Sequence, residues 1–437
     1  MEKKQETKLI TLMQAVALVI GVVIGSGVFF KPAKVFAAAG APGLGILAWI
    51  MGGVITIAAA LSIAELASAI PKTGGMFTYL RELYGESVAF LLGWVQTLVY
   101  YPGTLAALCI VFATQATVFV PMGDMTQKFL AIAVAIFLTG VNIISTTLTA
   151  KLNVVFTIAK LIPIFAIVIF GLISGTVHDY SPMVSEASTA AGFGAAILGT
   201  LWAYEGWVNV CNIGGELENP TKNLPKAIVI GLAVVMTAYV AINVAIINVM
   251  PMAAVAASPK AASDAAVILF GPAGAAFISA GIMVSIFGAS NGFAMTGARV
   301  PFAMAKDDLL PFKTFFIKEA SSGTPINALI FQCILSILYI FSGSFDILTN
   351  LVVFTLWIFF VLAVFGVFVL RSKHKDLIKE GQYKVPLFPV VPIIGIVGGA
   401  YILISTLMTD TMNALIGVGV ALVGIPVYMF VKKQRNK

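Results

Sequence analysis

Two short clusters of glycine and polar residues interrupt otherwise apolar stretches of the chain. Gly25-Ser26-Gly27 lies in VIGVVIGSGVFF, and Glu205-Gly206 lies in LWAYEGWVNV. Glycines in apolar helices often mark close helix packing. The alternative is a break in the helix, whose exposed N–H and C=O groups bind substrate or ions where they line a cavity. The clusters therefore predict either packing contacts or a pair of unwound binding segments, and their matching positions, described below, favour the second.

Three ionisable side chains lie within apolar stretches, where a charge is costly and suggests a function. Lys160 is alone in NVVFTIAKLIPIFAIVIF, Glu205 belongs to the second cluster, and Glu65 lies six residues before a proline. Lys160 either extends to the membrane surface or takes part in a mechanism. Glu205 either contacts a substrate or gate or makes a structural hydrogen bond. For Glu65 a structural role is favoured.

Residues that support enzyme chemistry are scarce. The only histidines, His178 and His374, lie in polar loops, so none is available in the apolar stretches to activate Ser26 as a nucleophile. The three cysteines lie inside apolar stretches and indicate small buried side chains rather than a disulfide framework or metal site: Cys109, Cys211 and Cys333. The sequence predicts a protein that is not an enzyme and needs no metal or cofactor.

The composition is that of an integral membrane protein. Of the 437 residues, 60% are hydrophobic and 10% are charged, against ~45–50% and ~25% in soluble domains. A soluble enzyme, a disordered regulator and a fibrous protein are excluded. Because runs of ~20 apolar residues recur along the chain, we predict an all-α integral membrane protein with 12 transmembrane helices, at residues 9–38, 43–70, 86–120, 129–148, 152–175, 193–214, 227–250, 272–305, 327–341, 345–370, 390–407 and 412–431.

Most of the Lys and Arg residues lie on one side of these spans. The count is 21 of 26 on that side, four on the other, and Lys160 within a span. Because cytoplasmic loops carry the excess of positive charge, both termini are predicted to be cytoplasmic. The asymmetry also accounts for the net charge of +7, because the positive residues set the topology and face anionic lipids of the bilayer. No nucleic-acid partner is therefore predicted.

The two clusters occupy corresponding positions in two sets of five spans. An odd number of spans gives the second set inverted topology, and matching breaks in two such repeats point to a transporter site. We therefore predict a cytoplasmic N-terminus at 1–8, repeats at 9–175 and 190–371, two further helices in 390–431 and a cytoplasmic C-terminus at 432–437.

Six longer motifs follow one another along nearly the whole chain: VIGSGVF in the first span, AELASAIPKTGGMFTYL from Ala64, TIAKLIPI around Lys160, WAYEGWVNVCNIGGELENPTKNLPKAI from Trp202, SIFGASNG from Ser285 and YKVPLFPVVP from Tyr383. In these motifs the chain resembles the amino acid–polyamine–organocation (APC) superfamily, and within it the L-type amino acid transporter family. It is especially similar to bacterial serine/threonine and alanine-serine-cysteine exchangers.

This resemblance implies a LeuT-type fold, with a 5+5 inverted repeat in which helices 1 and 6 are broken. It also implies a sodium-independent antiporter that exchanges small neutral L-amino acids, namely alanine, serine, cysteine and threonine, by alternating access. We expect a functional monomer in the cell membrane, and more narrowly in a bacterial inner membrane.

Matched residue by residue, the resemblance assigns substrate binding to two short segments: Ile24, Gly25, Ser26, Gly27 and Val28 in the first span, and Trp202, Ala203, Tyr204, Glu205 and Gly206 in the sixth. Trp202 matches an aromatic lid that closes over substrate from outside. Lys160 matches a lysine that takes the place of a sodium ion. Its expected partners are the carbonyls around Val22 and Val23 and the hydroxyl of Ser285 or Ser290.

A zwitterionic amino acid suits such a site. Its carboxylate would meet the Gly27 and Val28 amides and the Ser26 hydroxyl, helped by the helix dipole. Its ammonium would meet freed carbonyls around Ile24, Trp202 and Ala203. Cys211 and Ser285 are further candidates for the side-chain pocket.

The chain also departs from its apparent relatives. Cys211 replaces an asparagine that many animal members carry, which weakens the case for a polar substrate contact there. The loop PMGDMTQK lacks the cysteine that joins a heavy chain in animal members, so no disulfide-linked heavy subunit is expected. Proton-coupled amino acid uptake and a broader amino acid or amine exchanger of the same fold remain as alternatives, with an ion channel as a more distant one.

Overall fold

The computed structural model describes residues 10–70, 75–144, 160–208, 217–320 and 323–435. Within these ranges the regular structure is helical, and the only sheet-like contacts are two isolated bridges, Ile10 with Leu217 and Glu319 with Pro325. The all-helical prediction is confirmed for this part of the chain.

The first half of the chain begins with a helix that Thr11 caps through a reciprocal pair of hydrogen bonds with Gln14. A short π-helical segment, Gln96–Tyr100, joins the fifth and sixth helices. The helices described in this half are α1 Leu12–Val23, α2 Gly27–Ala39, α3 Pro42–Ala69, α4 Gly75–Tyr84, α5 Glu86–Val95, α6 Tyr101–Ala116, α7 Asp124–Ile144 and α8 Leu161–Ser174.

The second half of the chain continues with helices of more varied length. They are α9 Ala190–Ala203, α10 Pro220–Val249, α11 Met252–Ala257, α12 Ala261–Gly297, α13 Arg299–Lys306, α14 Lys313–Phe316, α15 Ile326–Ser342, α16 Phe345–Lys373, α17 Val390–Thr409 and α18 Thr411–Arg435. A 3₁₀ turn, Lys375–Leu377, follows α16.

Eight helical stretches among the described residues are long and apolar enough to cross a membrane, or nine if α1 and α2 form one bent span. Two of the eight join neighbouring helices, namely Glu86–Ala116 and Ala261–Lys306. Three further apolar helices, α8, α9 and α15, are shorter. The chain is therefore a multi-pass membrane protein, and the count of twelve spans remains a prediction.

Helices are interrupted at two glycine positions, one at the predicted helix break and one just before the predicted start of a span. α1 and α2 meet at an angle of 55° across residues 24–26, so the first cluster is a helix break. Gly271 has a φ of +68° inside α12, a conformation that glycine adopts readily. The chain changes direction there, directly before the predicted span that begins at Pro272.

The packing of the broken helix determines where the site forms. α2 packs against α9, and α1 packs against α10. Each half of the broken helix therefore lies against a helix from the second set of spans. This arrangement brings residues 24–28 beside residues 203–206.

Candidate substrate site

The two interrupted segments are in direct contact. A Cβ added to Gly27 would lie 2.5 Å from the Cα of Ala203, and one added to Gly206 would lie 2.9 Å from the Cγ1 of Val22. Gly206 also has a φ of +109°, which disfavours any larger residue. Both glycines therefore permit a close approach between the two segments that a side chain would prevent.

The start of α2 carries donors that have no acceptor among the described residues. The Ser26 carbonyl accepts hydrogen bonds from the Phe29 and Phe30 amides, at 3.1 and 3.2 Å. Within the described ranges, no backbone carbonyl accepts from the N–H of Gly27 or Val28. The Ser26 hydroxyl is buried and has no described hydrogen-bond partner. Such a helix start is suited to an anion, because its free amides and the helix dipole act together.

The carbonyls near the two breaks differ in their availability. The Trp202 carbonyl accepts from the Glu205 amide at 3.3 Å, and the Ala203 carbonyl accepts from the Tyr239 hydroxyl at 2.9 Å. Among the described hydrogen bonds, none uses the Ile24 carbonyl. Of the three acceptors predicted for an ammonium group, Ile24 is therefore the one left unpaired.

Tyr239 is a residue of the site that the sequence interpretation missed. Its hydroxyl oxygen lies 2.9 Å from the Ala203 carbonyl and 3.1 Å from the Val23 carbonyl, so it bridges the two breaks. The buried ring packs against Trp49 and Tyr204, with centroid separations of 5.5 and 5.1 Å. The Tyr204 hydroxyl donates to the Trp49 carbonyl at 2.9 Å, so three aromatic side chains hold the junction.

Lys160 is buried, with 8% of its surface exposed, and precedes α8. Its ammonium donates to the Gly21 carbonyl in α1. The side chain therefore does not extend to the membrane surface. The acceptor is one residue earlier than the predicted carbonyls of Val22 and Val23, and it lies in the last turn of α1, where helix carbonyls lack an intrahelical donor.

The two serines proposed as partners of Lys160 do not bond to it. Ser290 donates to the carbonyl of Ile286 in its own helix, at 2.8 Å. The Ser285 hydroxyl is buried and has no described hydrogen-bond partner. The proposed link from Lys160 to α12 is therefore absent, and the observed link joins α8 to α1.

Glu205 is buried and accepts a hydrogen bond from the Tyr100 hydroxyl at 3.2 Å. Tyr100 ends the π-helical segment, a local irregularity that is frequent at functional sites. The rings of Tyr101 and Phe293 pack against Tyr100, at 4.7 and 5.9 Å. Glu205 is thus tied to the third predicted span, which is consistent with either role considered for it.

A cavity of about 760 Å³ lies beside this contact. Its walls include Tyr100, Tyr101 and Val208, and it extends to Arg81 and Arg299 on the face of the protein rich in Lys and Arg. Clefts of roughly 300–1,000 Å³ are typical of small-molecule sites. The cavity therefore runs from Tyr100 and Val208, which lie next to the second break, to the basic face, and its lining includes no residue of either break.

On the other side of the breaks the residues are tightly packed. The rings of Trp202 and Phe30 both lie 6.0 Å from that of Phe345. Lys31, which lies in the predicted span 9–38, is fully buried and bonds to Asp346 at 2.8 Å and to Thr349. This combination of apolar packing and an ion pair closes the side opposite the cavity.

The remaining candidates have mixed placements. Cys211 lies outside the described residues. Glu65 is buried, and Arg371 binds its carboxylate with two hydrogen bonds of 2.8 Å. That pairing agrees with a structural role. Among the described residues no group of three or more His, Cys, Asp and Glu side chains is arranged to hold a metal.

Comparison with known proteins gives matches over almost the full length of the chain. The family model for amino acid permeases matches residues 10–431. The serine/threonine exchanger SteT of Bacillus subtilis is 41% identical over 430 residues, which cover 98% of each chain. The mouse b(0,+)-type amino acid transporter 1 is 32% identical, over 92% of this chain and 83% of its own.

A human relative extends the comparison to the L-type transporters predicted from the motifs. The large neutral amino acids transporter small subunit 2 is 32% identical over 440 residues, covering 96% of this chain and 80% of its own. Together with the family model and the bacterial exchanger, this match shows that the chain belongs to the amino acid permease family of the APC superfamily.

Proposed function

We propose that this protein is a sodium-independent exchanger of small neutral L-amino acids, with serine and threonine foremost among the candidates alanine, serine, cysteine and threonine. The observation that carries the proposal is the contact between the two breaks, where the first break has two amides, a hydroxyl and a carbonyl without partners among the described residues. The 41% identity to a serine/threonine exchanger supports the choice of substrate.

The two ends of an amino acid would bind to backbone groups. The carboxylate would accept hydrogen bonds from the Gly27 and Val28 amides and the Ser26 hydroxyl. The ammonium would donate to the Ile24 carbonyl. Because every amino acid carries the same carboxylate and ammonium groups, the residues that surround the substrate side chain would set the specificity.

The structure supports assigning this conformation to the state open towards the cytoplasm. The cavity leads from Tyr100 to the basic face, which the distribution of Lys and Arg assigns to the cytoplasm. Trp202 and Phe345 pack together on the opposite side. Alternating access would open that packing and close the cavity while the site stays in place.

For the fold, we propose the inverted-repeat arrangement that was predicted from the sequence. Residues 9–175 and 190–371 would form two inverted five-helix repeats, followed by two helices within 390–431. α8, α9 and α15 would complete twelve spans, with both termini in the cytoplasm and one chain as the functional unit. The break between α1 and α2, observed at 55°, supports the first broken helix of this arrangement.

Lys160 would take the place of a coupling sodium ion. Its ammonium supplies a fixed positive charge at the Gly21 carbonyl, next to the first break. A lysine has three donors on a flexible chain and can follow such a carbonyl through a conformational change. Transport would therefore need no sodium.

Proteoliposomes test the proposal. Uptake of radiolabelled serine is measured with each of the twenty amino acids preloaded in turn, in sodium and in choline buffers. We expect saturable uptake only with small neutral amino acids inside, at equal rates in the two buffers. Uptake into empty vesicles at the same rate, a requirement for sodium, or a conductance instead of saturable uptake would contradict it.

Buried Glu205 favours one second candidate, proton-coupled uptake. A carboxylate that bonds to Tyr100 beside the break is placed to bind and release a proton during transport. An imposed pH gradient, acidic outside, would then drive net uptake into empty vesicles, and Glu205→Gln would abolish that component. An exchanger would show neither effect.

A further inference from the structure

A second cavity of about 670 Å³ opens at the start of α10, away from the candidate substrate site. Lys222 and Lys226 lie on one wall, and Gly381 to Tyr383 and Pro386 of the loop after α16 lie on the other. The remaining lining is apolar: Leu61, Pro225, Val229 and Ile230. We call this cavity the α10 groove.

The two lysines are exposed and share one face of α10, because they are four residues apart. Ile230, another four residues along, continues the same exposed face into the apolar part of the helix. Lys222 is the first residue of a 28-residue stretch that is long and apolar enough to span a membrane. The groove therefore combines cationic heads at a membrane boundary with an apolar wall that continues into the bilayer.

Neither lysine has an ion-pair partner within the described ranges. Glu65, a buried carboxylate in α3, which packs against α10, is already bound by Arg371 and by the Val385 amide. Glu218 is exposed at the start of the same helix and forms no described ion pair with either lysine. The positive charge of the groove is therefore not neutralised by the part of the protein that is described.

A third polar group in the groove is also unpaired. The Tyr383 hydroxyl is buried and has no hydrogen-bond partner among the described residues. Its backbone is held in place, since the Tyr383 amide donates to the Ser68 hydroxyl at 3.2 Å. A buried hydroxyl without a partner is costly, and because Tyr383 lines the groove, a small rotation of its ring would let the hydroxyl meet a ligand there.

We propose that the α10 groove binds one anionic phospholipid. The headgroup phosphate accepts hydrogen bonds from Lys222, Lys226 and the Tyr383 hydroxyl, and an acyl chain lies along Val229 and Ile230. Basic pockets between helices at a membrane surface recognise such headgroups. A free phosphate ion would use the lysines but leave the apolar wall without a partner.

Lipid bound in the α10 groove can affect transport, because α10 also carries a residue of the candidate substrate site. Tyr239, whose hydroxyl bridges the two breaks, lies further along the helix that forms the groove wall. A lipid held between the start of α10 and the loop after α16 restrains the position of α10. The inference concerns lipid binding and holds whether or not the substrate proposal is correct.

Native mass spectrometry of the full-length protein tests the site. Phosphatidylglycerol and phosphatidylcholine of equal chain length are titrated into protein in a neutral detergent. The variants are Lys222→Gln with Lys226→Gln, Tyr383→Phe, and a charge-matched control, Lys432→Gln with Lys433→Gln at the end of α18. Melting temperatures confirm that every variant is folded.

We expect the wild type to retain one phosphatidylglycerol in preference to phosphatidylcholine. The Lys222/Lys226 variant should bind it roughly twenty- to thirtyfold more weakly, from ~1 kcal/mol for each lysine near the surface. Tyr383→Phe should bind more weakly than wild type, and the Lys432/Lys433 control should bind normally. Inorganic phosphate should not displace the lipid.

Three results would overturn the proposal. These are equal retention of phosphatidylcholine, an equal loss in the Lys432/Lys433 control, and full retention in the Lys222/Lys226 variant. The second would mean general attraction to basic residues, and the third would mean that the lysines serve only membrane orientation. Displacement by inorganic phosphate would reject the acyl-chain contact.

Discussion

A Cβ on Gly27 would lie 2.5 Å from the Cα of Ala203, so the two helix breaks approach each other as closely as the backbone allows. The contact joins the start of α2 to the end of α9. It places the Gly27 and Val28 amides, which donate to no described backbone carbonyl, beside the end of α9. Any side chain at position 27 would force these segments apart.

We expect Gly27→Val to abolish binding of serine, threonine and alanine alike, because the added side chain collides with Ala203 and displaces the Gly27 and Val28 amides that all three substrates use. Gly140→Val in α7 is the matched control, since a Cβ there meets nothing within 4 Å and the residue lies outside both breaks. Binding is followed by isothermal titration on purified protein. Normal binding of even one substrate by Gly27→Val would disprove common recognition through the backbone.

Trp202→Ala should remove the packing against Phe345 that closes one side of the site. Phe345 also packs against Phe30, with ring centroids 6.0 Å apart. We expect exchange to fall at least tenfold while the protein still inserts into the membrane, and Trp202→Phe to retain most activity. Exchange rates are compared at equal amounts of protein. Near-normal exchange by Trp202→Ala would reject its role as a lid.

Tyr239→Phe removes only the hydroxyl that bridges Val23 and Ala203, leaving the ring packing intact. A buried hydrogen bond contributes about 0.5–1.5 kcal/mol, so a roughly two- to tenfold change in exchange rate or KM is expected. The size of the change should depend on the side of the membrane from which substrate is supplied, because the hydroxyl lies within hydrogen-bond distance of a carbonyl at each break. Kinetics measured with substrate on each side would show it. Unchanged kinetics on both sides would mean that Tyr239 acts only through its ring.

Lys160→Ala should alter the rate or sidedness of exchange more than the stability of the fold. The Gly21 carbonyl would lose its donor, and α8 would lose its link to the first break. Exchange is measured from both sides, with sodium or choline, for wild type and variant. Wild-type rates that rise steeply with sodium, or a variant with unaltered kinetics on both faces, would refute the substitution of this lysine for sodium.

The sequence predicted the first helix break because Gly25-Ser26-Gly27 is an unusual cluster in an apolar span. It could not identify Tyr239, since one tyrosine in an apolar helix is equally typical of core packing. Burial of Lys31 was also missed. A lysine near the end of a span usually indicates solvent, and its partner Asp346 lies 315 residues away. Contacts that depend on two distant helices leave no local pattern.

Glu65→Gln should destabilise the protein. The carboxylate binds Arg371 through two hydrogen bonds and accepts the Val385 amide at 2.6 Å. Breaking a buried pair costs about 3–5 kcal/mol, and we expect the lower end because Arg371 is 24% exposed. Thermal unfolding in detergent gives the loss. Combining Glu65→Leu with Arg371→Met should recover part of it, and no recovery would argue that the pair is not the cause.

The central claim is that substrate binds between the two breaks. A structure of the protein with bound L-serine tests it most directly. We predict the serine carboxylate at ~3 Å from the Gly27 and Val28 amides, with the ammonium at hydrogen-bond distance from the Ile24 carbonyl. Serine found elsewhere, for example near Arg81 and Arg299 at the mouth of the cavity with residues 24–28 uncontacted, would contradict the account.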